Sequence, residues 1–234
     1  MKTVTHVVLF DIDGTLLTSA DGGPTAGYRA MNLAAEDVIG EQLYGDPMSF
    51  AGRTDLQIAR ALLGNALEQP SADQVKLLVA RYVHHLRDGV TERPYRVLGD
   101  PTGAVRALAG AGAIVGLGTG NVREGASIKL SSAGVGDLFD LGRGGYGDDG
   151  VTRADLLEAG ARRCDPGRAL PVIIVGDTPH DVSAAHEIGA QCVGIPYRSN
   201  TAEVLRDAGA DAIAREVGPE LVPEIAALIG DRRR

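Results

Sequence analysis

The stretch Val7-Val8-Leu9-Phe10-Asp11-Ile12-Asp13-Gly14-Thr15 constrains the fold of this chain more than any other. Four apolar residues in a row, two of them β-branched, suit a strand buried on both faces, as strands of a parallel sheet are. The run stops at Asp11, repeats the charge at Asp13 and turns on Gly14. Open α/β sheets bind ligands beyond the carboxyl ends of their strands, so a carboxylate there is a candidate functional group. Taken alone, the stretch also reads as a strand closed by a simple Asp-Gly turn. The rest of the chain decides between the two.

Two further apolar runs end in the same way. Ala113-Ile114-Val115-Gly116-Leu117 leads into Gly118-Thr119-Gly120-Asn121, and Pro171-Val172-Ile173-Ile174-Val175 leads into Gly176-Asp177-Thr178-Pro179-His180-Asp181. Helical patterns follow each, from Val122 to about Ala133 and from Val182 to Ile188. Helices are also expected from Gly103 to Ala111 and from Arg153 to about Cys164. Phe139 to Gly150 reads as a loop or short edge strand. Weak strands around 191–195 and 211–214 alternate with helices over 201–208 and 219–229. Five or so strands alternating with helices predict an α/β, doubly wound parallel sheet with a Rossmann-like core.

The segment between the first two strand-turn units is different. Ser19-Ala20-Asp21-Gly22-Gly23-Pro24 is a loop of turn formers and a candidate hinge. From Thr25 to Glu92 the pattern is helical with no convincing strand. Thr25 caps a helix to about Val38, Thr54 caps one over Asp55 to Leu63, and Ser71-Ala72-Asp73-Gln74 is a capping box opening a helix to about Arg87. His84 and His85, adjacent on that helix, face different ways and read as ordinary helix residues. The expected division is an α/β core over 1–20 and 93–234, with an all-helical cap inserted over 21–92. Within it, Phe50-Ala51-Gly52-Arg53-Thr54-Asp55 places a glycine and a fork-shaped cation just before a helix, so Arg53 is a candidate substrate-facing residue as well as a plausible surface arginine.

Composition narrows the partners. A net charge of −8 argues against nucleic acid or an anionic membrane as the main partner, and leaves open a small anionic ligand held by a local cation or metal. There is no apolar run of about 18 residues and no signal-peptide pattern, and Cys164 and Cys192 fit no metal or disulfide spacing. A cytoplasmic location is therefore expected. The Asp-Arg-Arg-Arg end reads as solvated. In a parallel sheet the three polar strand ends gather along one edge. Carboxylates beside a hydroxyl and a helix N-terminus suit an anion next to a hard cation such as Mg²⁺. Gly118-Thr119-Gly120-Asn121 fails as a dinucleotide fingerprint, and no P-loop lysine pattern is present.

Asp11-Ile12-Asp13-Gly14-Thr15, Thr119-Gly120-Asn121 and Gly176-Asp177-Thr178-Pro179-His180-Asp181, in that order, resemble the haloacid dehalogenase-like superfamily, and within it the phosphoglycolate phosphatase-like branch, which carries a helical cap after the first strand. The resemblance implies a Mg²⁺-dependent phosphatase for a small phosphorylated metabolite, phosphoglycolate first, working through an aspartyl-phosphate. It implies that Asp11 is the nucleophile and Asp13 the general acid and base. The metal would be held by Asp11, the backbone carbonyl of Asp13 and Asp177. Thr119, with the amides of Gly120 and Asn121, would grip phosphoryl oxygens, and Asp181 would orient the metal shell or its cationic neighbour.

One departure stands out. Relatives carry a Gly-Lys-Pro lysine that this chain lacks. By register, Gly147-Asp148-Asp149 is followed by Arg153 at that place. The rival is Lys129, eight residues past Asn121, about 12 Å along the helix axis, a distance its side chain would barely cover. Arg153 is therefore preferred as the phosphate-binding cation. A sugar-phosphate mutase would keep the same Asp pair, and a non-catalytic phosphate-binding protein would not need the nucleophile. A dehalogenase would normally lack a carboxylate at Asp13. The oligomeric state stays open.

Overall fold

The computed structural model describes residues 3–40 and 50–231. Six strands form one sheet in the order β5-β4-β1-β6-β7-β8, every neighbouring pair parallel. These are β1 (His6–Phe10), β4 (Ala113–Gly118), β5 (Gly144–Gly145), β6 (Val172–Gly176), β7 (Gln191–Gly194) and β8 (Ala212–Ile213). β1 lies between β4 and β6, which is where the strand order reverses, and its side chains alternate between two cores. Val7 and Leu9 pack against Leu157, Ala161 and Val182 on one face, while Val8 and Phe10 join Ala104, Leu108 and Leu221 on the other. Both faces being covered explains the unbroken apolar run, because each residue loses water whichever way it points.

The described residues form nine α-helices: α1 (Ala26–Ile39), α2 (Asp55–Gly64), α3 (Ala72–Glu92), α4 (Pro101–Gly110), α5 (Arg123–Ser132), α6 (Arg153–Cys164), α7 (Pro179–Glu187), α8 (Ala202–Asp207) and α9 (Leu221–Asp231). The caps read from sequence are present. Thr25 accepts from the Tyr28 amide, and Thr54/Gln57 and Ser71/Gln74 form reciprocal capping boxes. Each satisfies amides that the first helical turn leaves without a partner. α1 and α3 pack along one another, and His85 Nε2 lies 2.8 Å from Asp37 Oδ2 across them. The apolar cluster on the Val8/Phe10 face runs on without a break through Met31, Leu62 and Leu78 of these helices.

Several expectations need correction. The short edge strand allowed within Phe139 to Gly150 is β5, but β2 (Leu17–Ser19) pairs antiparallel with β3 (Tyr95–Val97), a ribbon the sequence reading missed. The ribbon joins the two crossings into and out of the helical segment. The helix expected to end at Arg87 runs to Glu92, and Gly89 lies against Ala26 of α1. α7 starts at Pro179, not Val182, because Thr178 and Asp181 cap it reciprocally and proline suits a first helical turn. Positions 41–49 of the helical segment and the last three arginines lie outside the described residues. Among those described, no helix is long and apolar enough to cross a membrane.

Candidate active site

Asp11 leaves the end of β1, Asp177 follows β6, and Asp181 sits in the first turn of α7. One oxygen from each lies within 4.8 Å of the others, and all three residues are buried. The main-chain turn at Gly14 makes this approach possible. Its φ is +86°, and a Cβ there would stand 2.3 Å from Asp177 Oδ2, so only glycine suits the position. Thr15 Oγ1 donates to Asp177 Oδ1 at 3.1 Å. Asp181 is fixed from its own helix, its Oδ2 accepting from the Thr178 amide at 3.0 Å and the Thr178 hydroxyl at 2.7 Å.

Arg153 enters this cluster from the start of α6. Its Nε donates to Asp181 Oδ1 at 2.8 Å, and its Nη1 donates to the Gly52 carbonyl at 3.2 Å. Nη2 lies 2.9 Å from Asp11 Oδ2 and 2.5 Å from Asp181 Oδ1, ion-pair contacts of which neither is aligned as a hydrogen bond. Asp11 and Asp181 thus share one guanidinium, and Asp177 lies beside them without pairing to it. Burial pushes Asp11 up to about 6 despite Arg153, and burial with the charges of Asp181 and Asp11 pushes Asp177 well above the usual carboxylate range. The same acids hold Arg153 charged. The cluster is short of positive charge and offers only hard oxygen donors, which fits a divalent ion such as Mg²⁺.

Across the strand ends, Asp13 and Asn121 meet. Asn121 Nδ2 donates to Asp13 Oδ2 at 2.7 Å and to Thr119 Oγ1 at 2.8 Å, which joins the ends of β1 and β4. Lys129 Nζ also donates to Asp13 Oδ2, at 2.7 Å. The expectation that Lys129 would barely arrive is therefore wrong. Its stem runs back along α5 past Gly27, where a Cβ would lie 3.2 Å from Nζ, and the ammonium sits 5.6 Å from the centre of the Tyr95 ring. Helix side chains lean toward the N-terminus, and here the lean covers the distance measured along the axis. Burial alone would lower Lys129, but Asp13, Tyr82, Tyr95 and Asp55 together outweigh it and hold the ammonium well above its ordinary value. Both cations therefore reach the site, Arg153 on the Asp11 side and Lys129 on the Asp13 side.

Asp11, Asp13, Thr119, Gly120, Asn121, Lys129, Arg153, Asp177 and Arg53 all line one cavity of about 220 Å³. Arg53 is exposed, at the rim. Sequence reasoning missed three contributors. The Tyr197–Asn200 turn lines the cavity and is tied to β2 by a hydrogen bond between the Thr18 and Tyr197 hydroxyls. Tyr82 of α3 lines it from the helical side. Asp55, buried at the start of α2, is pushed up to about 7 by that burial. Its only signal in the sequence was its place beside the capping Thr54, where an acid reads as a partner of the helix dipole.

A family model described as haloacid dehalogenase-like hydrolase matches residues 5–189. The chain is 26% identical over 227 residues to a phosphoglycolate phosphatase of Yersinia pseudotuberculosis, covering 93% of this chain and 92% of that one. It is 26% identical over 217 residues to a phosphoglycolate phosphatase of Pectobacterium atrosepticum, covering 90% and 88%. Among solved structures, a HAD hydrolase of family IA, variant 3, from Entamoeba histolytica has the same fold. The TM-score is 0.73 at 17% identity, over 96% of this chain and 99% of that one.

Proposed function

The chain belongs to the haloacid dehalogenase-like hydrolases, and from that premise we propose that it is a cytoplasmic, Mg²⁺-dependent phosphatase of small phosphate monoesters acting through an aspartyl-phosphate. The observation that carries the reading is the convergence of Asp11, Asp177 and Asp181 at adjoining strand ends. Phosphoglycolate is the first substrate to try, because curated relatives of nearly full coverage bear that name.

In this reading Asp11 attacks phosphorus. The leaving alkoxide departs with a proton, and water then cleaves the acyl phosphate to regenerate the carboxylate. Asp13 moves both protons. Its Oδ2 is held by Lys129 and Asn121, which leaves Oδ1 to face the leaving oxygen and then the water. Asp11, Asp177 and the Asp13 carbonyl would hold Mg²⁺, which supplies charge neutralisation between carboxylate and phosphate. Arg153 keeps Asp11 and Asp181 in place, and Thr119 with the Gly120 and Asn121 amides binds phosphoryl oxygens. The helical segment 21–92 serves as the cap that shuts water out of the cavity.

The test is phosphate release from a panel of small esters, with and without Mg²⁺, for the parent and Asp11→Asn. Mg²⁺-dependent turnover that the substitution abolishes is expected. Equal rates from both proteins would rule out the covalent route, phosphate binding without turnover would mark a binding protein, and interconversion of sugar phosphates outpacing release would mark a mutase.

A further inference from the structure

The loop Thr119-Gly120-Asn121-Val122 is held from a side that the proposed chemistry does not use. The Asp55 amide donates to the Gly120 carbonyl at 2.8 Å, and the Val122 amide donates to Asp55 Oδ2 at 2.8 Å. Asp55 is 6% exposed, so both bonds are shielded from water. Val122 is the N-cap of α5 and offers no side-chain cap of its own. Asp55, the first residue of α2, thus takes up an amide at the start of another helix. Backbone packing fixes the same contact. A Cβ on Gly120 would lie 2.5 Å from the Arg53 carbonyl oxygen, so segment 53–55 rests directly on the loop. On the other side Gly147 donates to the Asn121 carbonyl at 2.8 Å.

Resting on the phosphatase reading, we propose that Asp55 is a positioning residue: it clamps the Thr119–Val122 loop to the helical segment, so that the loop's grip on phosphate is formed when segment 53–55 is docked on it. Asp55 itself touches no reacting atom. It acts through the Val122 amide and the Gly120 carbonyl, which flank the amides that meet phosphate. A loop held on one side only would spend part of its time with those amides misdirected, and donors aimed beforehand at developing charge are what such a loop contributes.

The acceptor and the charge of Asp55 can be separated. Asp55→Asn keeps an oxygen for the Val122 amide. Asp55→Ala removes it, and Asp55→Glu keeps the charge but moves the oxygen out by one methylene. The readouts are binding of inorganic phosphate by calorimetry with Mg²⁺ present, kcat and KM on the best ester, and the thermal midpoint. For Ala and Glu the expected result is phosphate binding weakened about tenfold and kcat lowered at least as much, with Asn restoring both to within about threefold of the parent. Glu serves the same purpose if the Ala variant does not fold. Overturning results are phosphate binding and kcat within twofold of the parent in the folded Ala or Glu variant, or an Asn variant as impaired as Glu. A parent that turns over no ester defeats the phosphatase reading instead, and the phosphate titrations still decide the role of Asp55.

Discussion

The two sides of this site hold their charges in opposite ways. At the sheet edge, Asp11, Asp177 and Asp181 are buried around a single guanidinium, and the first two are pushed upward. On the helical flank, Lys129 meets Asp13 within a wall of Gly27, Tyr82 and Tyr95, and it remains charged. On the proposed reading, the sheet edge receives positive charge from outside. The flank already has its own and is held by packing. A group that must bind a cation is left unsatisfied by the fold, whereas a group that must hold one direction is satisfied in advance.

The comparison breaks most visibly at Asp11. Asp11→Asn should lower turnover by about 10³-fold or more, since the proposed nucleophile is lost. Without metal the same variant should melt above the parent at pH 8. The folded protein holds the Asp11 proton up to about pH 6, while an unfolded aspartate releases it near 3.9. The stability that the neutral carboxyl confers is thus complete below about pH 4 and gone above about pH 6, where the amide keeps what the carboxylate loses. Differential scanning calorimetry reads the difference.

Lys129→Met probes the flank. It removes the ammonium from Asp13 and keeps much of the buried stem, so kcat should fall by about 10²-fold while Mg²⁺ binding changes little. A loss of Mg²⁺ binding as large as the loss of rate would erase the distinction between the two sides. A third effect sharpens it. Because Asp11 is pushed up to about 6 and Asp177 is raised as well, protons compete with the metal, and displacing the Asp11 proton alone should make the apparent Mg²⁺ affinity fall toward about tenfold per pH unit below pH 6. Calorimetric titrations at pH 4.5, 5.5 and 7.5 measure that slope against its plateau. The smallest effect belongs to Arg53, exposed at the rim. Arg53→Ala should move KM for an anionic ester by about two- to fivefold and leave kcat alone, and no change for any ester would remove that residue from substrate contact.

What the sequence discloses follows the same division. Strands β1 and β6 are apolar runs that end abruptly in acids, so their place and their chemistry are readable together. Thr54 and Ser71 announce helices because a cap is a local hydrogen bond between residues three apart. The β2–β3 ribbon is not readable. Each strand has three residues, too few to show a period, and the partners are far apart in the chain. Lys129 was misjudged because rise per residue fixes the axis and not the path of a long side chain, which here depends on the missing Cβ of Gly27. Beyond its place after the capping Thr54, Asp55 gives no signal, because its partners are main-chain groups of another segment and main chain carries no residue identity to read.

The most direct measurement is a calorimetric titration of Mg²⁺ into the parent and Asp177→Asn at pH 7.5. If acids from β1 and the end of β6 share one divalent ion, the parent binds one Mg²⁺ per chain and the variant binds it at least about tenfold more weakly or not at all. Equal binding by the two proteins, or none by the parent, would contradict a shared metal between Asp11 and Asp177.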